Sequence, residues 1–362
     1  MITDGSKSSL FQVVSKKDFD QLVAKWETDK GIRSFSTWEM TCALVTCLTM
    51  RLSSFREVEQ TLSIPRATLG DAMSKRCHGF FQELCDQLLK NIKAKTNDRK
   101  IKKSIREIMA IDASECQIHG SLFTEPLWKR SKSFGHKASC KLHVAYSVDN
   151  KWVEDYIVTG SRQGDSTVSH YLDLMPNKIY VFDRAYNDMD FWLKIINCKS
   201  HFVTRIRDCK KNRKMLEQIV NKNPNKDGVL FDGLYQTSTP LKYHRCKEQL
   251  KTKKFRHIIY KDSITKKLFH FVTSDFKLTA QTVANIYKKR WAVELLFRWL
   301  KGHLDIRYLA VKNLNAVKIQ LAIAVLIQLL LQLKKIVMRL QSTHWEILRE
   351  IRTSIIKNKP RV

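Results

Sequence analysis

The chain has 362 residues, 43% of them hydrophobic, with 65 Lys and Arg against 35 Asp and Glu, a formal charge of +30. That length buries a large core and predicts two or three structural units, and the apolar content excludes a disordered chain. So much positive charge points to a polyanion. Nucleic acid fits better than a membrane surface, because the basic residues run along the whole chain and form no juxtamembrane cluster. The nine cysteines, at 42, 47, 77, 85, 116, 140, 198, 209 and 246, form no C-x-x-C pair. They read as core thiols of a reducing cytosol, not as zinc ligands beside His119, His136 or His143. The N-terminus lacks the apolar stretch of a signal peptide, so the expected location is cytoplasmic.

Residues 8–95 carry helical apolar spacing, with turn chemistry at Gly31 and Pro65. Ser36 and Glu39 predict an N-cap with an acid in the first turn of the third helix. Residues 55–76 read helix, turn, helix, a pattern that DNA-binding motifs share with plain helical hairpins. A basic run of Lys90, Lys93, Lys95, Arg99, Lys100, Lys102, Lys103 and Arg106 holds the single acid Asp98 and reads as a solvated junction. Residues 1–100 are therefore expected to form a helical unit for DNA binding or assembly.

Strand patterns follow at 105–112, 141–148 and 151–158, the last two joined at Asp149 and Asn150. Next come a helix over 166–175, a strand at 178–183, a helix over 189–197 and a strand at 201–207. The order β-β-β-α-β-α-β predicts an α/β fold with a ribonuclease-H-like mixed sheet, its first part within 101–207. Residues 208–278, with β runs at 228–231, 256–260 and 268–273, look like a β-rich insertion. The core resumes over 279–340, beginning with a helix from 279 to 304, and 341–362 is left as a C-terminal tail. The apolar run 319–333 is interrupted by Gln320, Gln328 and Gln332 and flanked by Lys318, Lys334 and Lys335. It reads as a buried helix, not a membrane span.

Asp112 and Asp183 each end an apolar strand pattern, and in such a sheet those strand ends are neighbours. The competing acids are Glu115, Asp149, Asp155, Asp165, Asp188 and Asp190. A third carboxylate stands out by its setting. On one helix, Tyr287, Arg290, Glu294 and Lys301 fall within an arc of about 60°, while Trp291, Val293, Leu295, Leu296, Phe297, Trp299 and Leu300 cover the rest. Trp291 accordingly reads as core. A charged row on a mostly buried helix is costly unless it meets a partner, and a carboxylate among bases suits a metal beside a phosphate. Asp112, Asp183 and Glu294 together could hold two Mg²⁺ ions, with Mn²⁺ as a substitute, for in-line attack on a phosphodiester.

Three blocks carry a family resemblance: A-I-D-A-S-E at 110–115, V-F-D-R-A-Y at 181–186, and Y-x-x-R-x-x-x-E-x-x-x-x-x-x-K at Tyr287, Arg290, Glu294 and Lys301. With the helical segment from Phe35 to Arg76 they resemble bacterial insertion-sequence transposases of the DDE type, insertion-sequence family four, over residues 35–335. The resemblance implies a ribonuclease-H-like core with a mostly β insertion between the second Asp and the Glu. It implies cut-and-paste movement of DNA bounded by terminal inverted repeats, with a homodimer in the synaptic complex. Carried over by residue, Asp112, Asp183 and Glu294 are metal ligands, and Tyr287, Arg290 and Lys301 contact DNA phosphates near the cleaved end.

The chain departs from the family at two points. Ala185 stands where many relatives have Gly, which is tolerated unless the turn needs positive φ. No Trp occurs between Trp192 and Trp291 to stack a flipped base, leaving Tyr235, Tyr243, Phe255 or Tyr260 to substitute. Rival readings are a catalytically silent DNA-binding derivative and a ribonuclease-H-like nuclease. If roughly six or more phosphates are neutralised, duplex affinity should fall on the order of 10³-fold between about 50 and 200 mM salt. A salt titration giving a flat profile would remove the basic surface as the DNA site.

Overall fold

The computed structural model describes residues 10–97, 106–124, 138–206, 213–219, 228–237, 245–306, 308–309 and 311–357. After a 3₁₀ turn at Leu10–Val13 come α1 (Lys16–Trp26), α2 (Thr37–Met50), α3 (Phe55–Leu62), α4 (Arg66–Lys75) and α5 (His78–Asn97). The expected cap of α2 is a full capping box: the Ser36 backbone amide donates to Glu39 Oε2 at 2.6 Å, and the Glu39 amide to Ser36 Oγ at 3.3 Å. Helices α3 and α4 are joined through Ser63, which is left-handed at φ 55°, and Pro65. The basic run is not linker throughout. Lys90, Lys93 and Lys95 belong to α5, and Lys93 is ion-paired with Glu154; residues 98–105 of the run lie outside the described residues.

Next come β1 (Glu107–Ile118), β2 (Ser139–Ser147), β3 (Trp152–Gly160), α6 (Asp165–Val168), β4 (Lys178–Phe182), α7 (Met189–Asn197) and β5 (His201–Ile206). The first three strands form an antiparallel meander, and β4 and β5 add in parallel beside β1. Two expectations are corrected here. Strand β1 does not stop at Asp112: its antiparallel pairing with β2 runs on to Gln117 opposite Ser139, whereas its parallel pairing with β4 ends at Ile111 opposite Phe182. The helix expected over 166–175 is only α6 and a 3₁₀ turn at Ser169–Tyr171. At its end the Lys194 ammonium takes the carbonyls of His170 and Leu172, at 2.7 and 2.8 Å, that a longer helix would have used.

Strands β6 (Arg213–Ile219) and β7 (Val229–Thr237), helix α8 (Lys247–Thr252), and strands β8 (Phe255–Lys261) and β9 (Leu268–Thr273) make up the β-rich segment. Strand β9 pairs antiparallel with β5, so these strands extend the central sheet, in the order β3-β2-β1-β4-β5-β9-β8-β7-β6. The chain then forms α9 (Ala280–Lys288), α10 (Trp291–His303), β10 (Tyr308–Leu309, parallel to β1), α11 (Leu314–Val337) and α12 (His344–Lys357). The segment read as a tail is thus helical over α12.

Alternation along the strands sets two faces. Ala110, Cys116 and Leu142 pack with α5, α10 and α11, and Ile179, Val181 and Val203 with α9. Met109, Ile111, Tyr180 and Phe182 point the other way, onto Phe191 and Trp192 of α7. Helix α11 is long and apolar enough to cross a membrane but is mostly buried in this core. Its interrupting glutamines dock the β2–β3 turn: Gln328 accepts from the Val153 amide at 3.1 Å and donates to the Lys151 carbonyl at 2.8 Å, and Gln332 donates to the Asn150 carbonyl at 2.9 Å.

Asn315, in the first turn of α11, fastens the N-terminal helices to the core. Its Nδ2 donates to the carbonyls of Met73 and Arg76 at 2.9 and 2.7 Å, and its Oδ1 accepts from the His78 amide at 3.1 Å. Asn315→Ala strands those groups and should lower unfolding stability by about 1–3 kcal/mol in urea titration. An unchanged midpoint would show that water replaces the tie.

Candidate active site

The register of β1 against β4 puts Asp112 and Asp183 side by side, each one residue past the last parallel pair, Ile111 and Phe182. By alternation both belong with the face that packs on α9 and α10. Asp112 Oδ1 accepts from the Ala113 amide at 2.9 Å, and its Oδ2 from Arg290 Nη1 at 3.0 Å. Arg290 Nη2 also donates to Glu294 Oε1, so one guanidinium bridges carboxylates from a strand and a helix. Burial pushes the Asp112 carboxyl up to about 6; Arg290 pulls it down, and Asp183 and Glu294 push it up. Asp183 caps the 3₁₀ turn Arg184–Tyr186, accepting from the Ala185 amide at 2.8 Å. Ala185 is not in the left-handed region, so its Cβ carries no backbone penalty.

The single helix expected over 279–304 is two. Between α9 and α10 the amides of Lys289, Arg290, Ala292 and Val293 bond three residues back, at 3.0 to 3.1 Å. Each such step turns the chain by about 120° in place of 100°. The four residues of the stripe therefore do not share the phase of one helix. Tyr287 packs on Phe271 with ring centres 5.0 Å apart, and the Arg290 guanidinium lies 5.9 Å from its ring. Lys301 makes no ion pair among the described residues. Trp291 and Leu295, expected in the core, are 50% and 45% exposed, and Arg298 covers the Trp291 ring at 5.5 Å. Only Val293, Leu296, Phe297 and Leu300 of α10 are buried, a stripe narrower than the composition of the helix implies. Phe255 and Tyr260, two of the expected base-stacking substitutes, are core residues; Tyr243 and the Tyr235 side chain lie outside the described residues.

Three carboxylates without thiolate or imidazole are the donor set of a hard divalent cation. Among the described residues, no three His, Cys, Asp or Glu side chains converge closely enough to hold one, and Arg290 engages Asp112 and Glu294.

The opposite face of the sheet carries polar props that sequence reasoning missed. His143, fully buried on β2, meets Tyr186 Oη at 3.0 Å through Nδ1 and Thr159 Oγ1 at 2.9 Å through Nε2. Asn187 donates to the Arg205 carbonyl at 2.8 Å and accepts from Thr204 Oγ1 at 2.7 Å. These bonds hold the turn that follows Asp183. Of the competing acids, Asp165 is paired with Lys141 at 2.8 Å, Glu115 accepts from Ser139 at 2.9 Å, and Asp188 and Asp190 accept backbone amides.

A family model for the transposase DDE domain matches residues 103–330. The chain belongs to that family. Residues 6–70 match a further model, described as a domain of unknown function, DUF4372. A protein named transposase y4zB, of Sinorhizobium fredii, is 29% identical over 286 residues, covering 77% of this chain and 74% of its own length. The protein named as transposase of insertion sequence element IS5377, of Geobacillus stearothermophilus, is 30% identical over 200 residues, 55% of this chain and 50% of that protein. Among solved structures, the piggyBac transposase synaptic complex with hairpin DNA matches with a TM-score of 0.54 at 12% identity, over 96% of this chain and 79% of that one. That likeness bears out the ribonuclease-H-like α/β fold.

His143 also gives this DDE transposase a measurable pH dependence. Burial, then Lys141, pushes its imidazole from 6.5 down to about 3. Between those values the unfolded chain takes up a proton that the folded chain refuses, so stability falls as pH drops below the unfolded value. From pH 7.5 to 5 this costs roughly 2 kcal/mol. In urea unfolding His143→Gln should lose about that much less than wild type over the same range; equal losses would show that His143 is free to protonate in the fold.

Proposed function

We propose that this chain cuts DNA at the terminal inverted repeats of an insertion sequence and joins the freed 3′-hydroxyls to target DNA, a cut-and-paste transposition. Asp112, Asp183 and Glu294 are the catalytic carboxylates. The observation that carries this reading is the alignment of Asp112 with Asp183 across β1 and β4, with Glu294 linked to Asp112 through Arg290. The three carboxylates would hold two Mg²⁺ ions, with Mn²⁺ able to replace them. Such ions activate the attacking water or 3′-hydroxyl and offset the charge that builds on phosphorus.

The remaining residues bind and orient. Lys301 lies seven residues beyond Glu294 on α10, about 10 Å along the axis, within reach of a neighbouring phosphate. Arg290 offers a planar fork suited to phosphate oxygens, and Tyr287 braces it from the α9 side. The N-terminal helix pair α3–α4 and the +30 charge support gripping of the ends in the bacterial cytoplasm. A homodimer joining two ends belongs to the same reading.

Asp112→Asn, Asp183→Asn and Glu294→Gln should each lower cleavage of DNA carrying the element's ends by at least about 10³-fold while end binding persists. Cleavage on end-labelled duplexes and binding by mobility shift give the two readouts. Full cleavage by any one variant removes that residue from the catalytic set; end binding without any metal-dependent nicking by wild type would identify a silent derivative.

A further inference from the structure

We infer that Arg290 gates the carboxylate site: its guanidinium occupies Asp112 and Glu294 until a DNA phosphate draws it away, so that DNA arrives before the divalent ions. This rests on the reading of the three carboxylates as metal ligands. The two terminal nitrogens of Arg290 engage carboxylates from separate elements, Asp112 on β1 and Glu294 on α10. A divalent ion bound to the same oxygens competes with the guanidinium, because the two cations repel and draw on the same lone pairs. With Arg290 in this seat, no three metal-binding side chains converge among the described residues.

The seat also leaves the arginine incompletely satisfied. Its Nε is buried and finds no hydrogen-bond acceptor among the described residues, although the other two guanidinium nitrogens are bonded. A fixed cation at the N-cap position of α10 further opposes the helix dipole. A phosphate removes the first defect, since its oxygens can accept from Nε and a terminal nitrogen together in the bidentate manner that suits arginine. The Tyr287 ring, 5.9 Å from the guanidinium, gives it an apolar face to keep as it leaves the carboxylates. Linkage then fixes the direction: a phosphate that draws Arg290 off the carboxylates raises metal affinity, and bound metal raises DNA affinity by the same factor.

Binding of Mn²⁺ alone to the full-length chain, followed through the paramagnetic resonance of the free ion, tests the gate without reference to activity. Without DNA, Arg290→Gln should bind Mn²⁺ roughly tenfold more tightly than wild type, toward the lower end of the usual range for such coupling. A short duplex taken from the DNA flanking the reading frame should tighten Mn²⁺ binding by wild type and leave Arg290→Gln nearly unmoved. Arg290→Lys keeps the charge but cannot span both carboxylates, and should fall between the two. Asp183→Asn identifies which bound Mn²⁺ belongs to the site. If Asp183-dependent Mn²⁺ binding is equal or weaker in Arg290→Gln and Arg290→Lys, the gate is wrong and Arg290 merely orders the carboxylates. If no protein shows Asp183-dependent binding, the metal reading fails and the gate with it.

Discussion

Everything at the site depends on the parallel register between β1 and β4. Two aspartates of like charge are set on adjacent strands, one step beyond the last hydrogen-bonded pair, and the backbone that holds them there is buried on both faces. A slip of one residue would turn either side chain onto the α7 layer, where Phe182 and Phe191 pack. The register is backed by large buried side chains: Tyr180, Phe182, Trp192 and Phe202 share one cluster beneath the site, and Phe202 stacks with both Phe182 and Trp192. Apolar packing on one face thus keeps charge together on the other.

Holding carboxylates in place without letting them repel each other apart requires counter-charge and rigid backbone. Arg290 supplies the first from the α9–α10 junction. The second comes from the far side of the sheet, where His143, Thr159 and Tyr186 form a closed set of hydrogen bonds under the turn that follows Asp183. A neutral imidazole between two hydroxyls is well suited to that place, because it can accept from one and donate to the other without bringing another charge near the aspartates.

Much of this could be read from the residues. The succession of strands through β5, the capped start of α2 and the neighbouring placement of Asp112 and Asp183 follow from periodicity, cap chemistry and strand-end position, all of which are local or nearly so. The errors have local causes as well. Apolar spacing over 279–304 cannot reveal that amides around Arg290 bond three residues back, and so it places Trp291 and Leu295 further inward than they lie. The helix over 166–175 was lost to a lysine 20 or more residues further along the chain, which claims its carbonyls. His143, weighed in the sequence only as a zinc ligand, carries no sign of its actual role: an isolated histidine on a buried strand acquires meaning only from Tyr186 and Thr159, which other elements deliver. The same holds for the extension of the sheet by β9, since pairing with β5 is a contact that no short window contains.

The α9–α10 junction has a consequence for how such a chain can vary in length. Two residues, Lys289 and Arg290, separate a helix that packs on β5 and β9 from one that carries Glu294. One added or deleted residue there would rotate α10 by about 100° and shift it by about 1.5 Å, carrying Glu294 out of line with both aspartates. The hairpin turn between Lys261 and Leu268, by contrast, is exposed at Ser263 through Lys267 and could lengthen without moving either strand. In this molecule the spacing of a short junction is therefore under tighter geometric control than the identity of most residues in it.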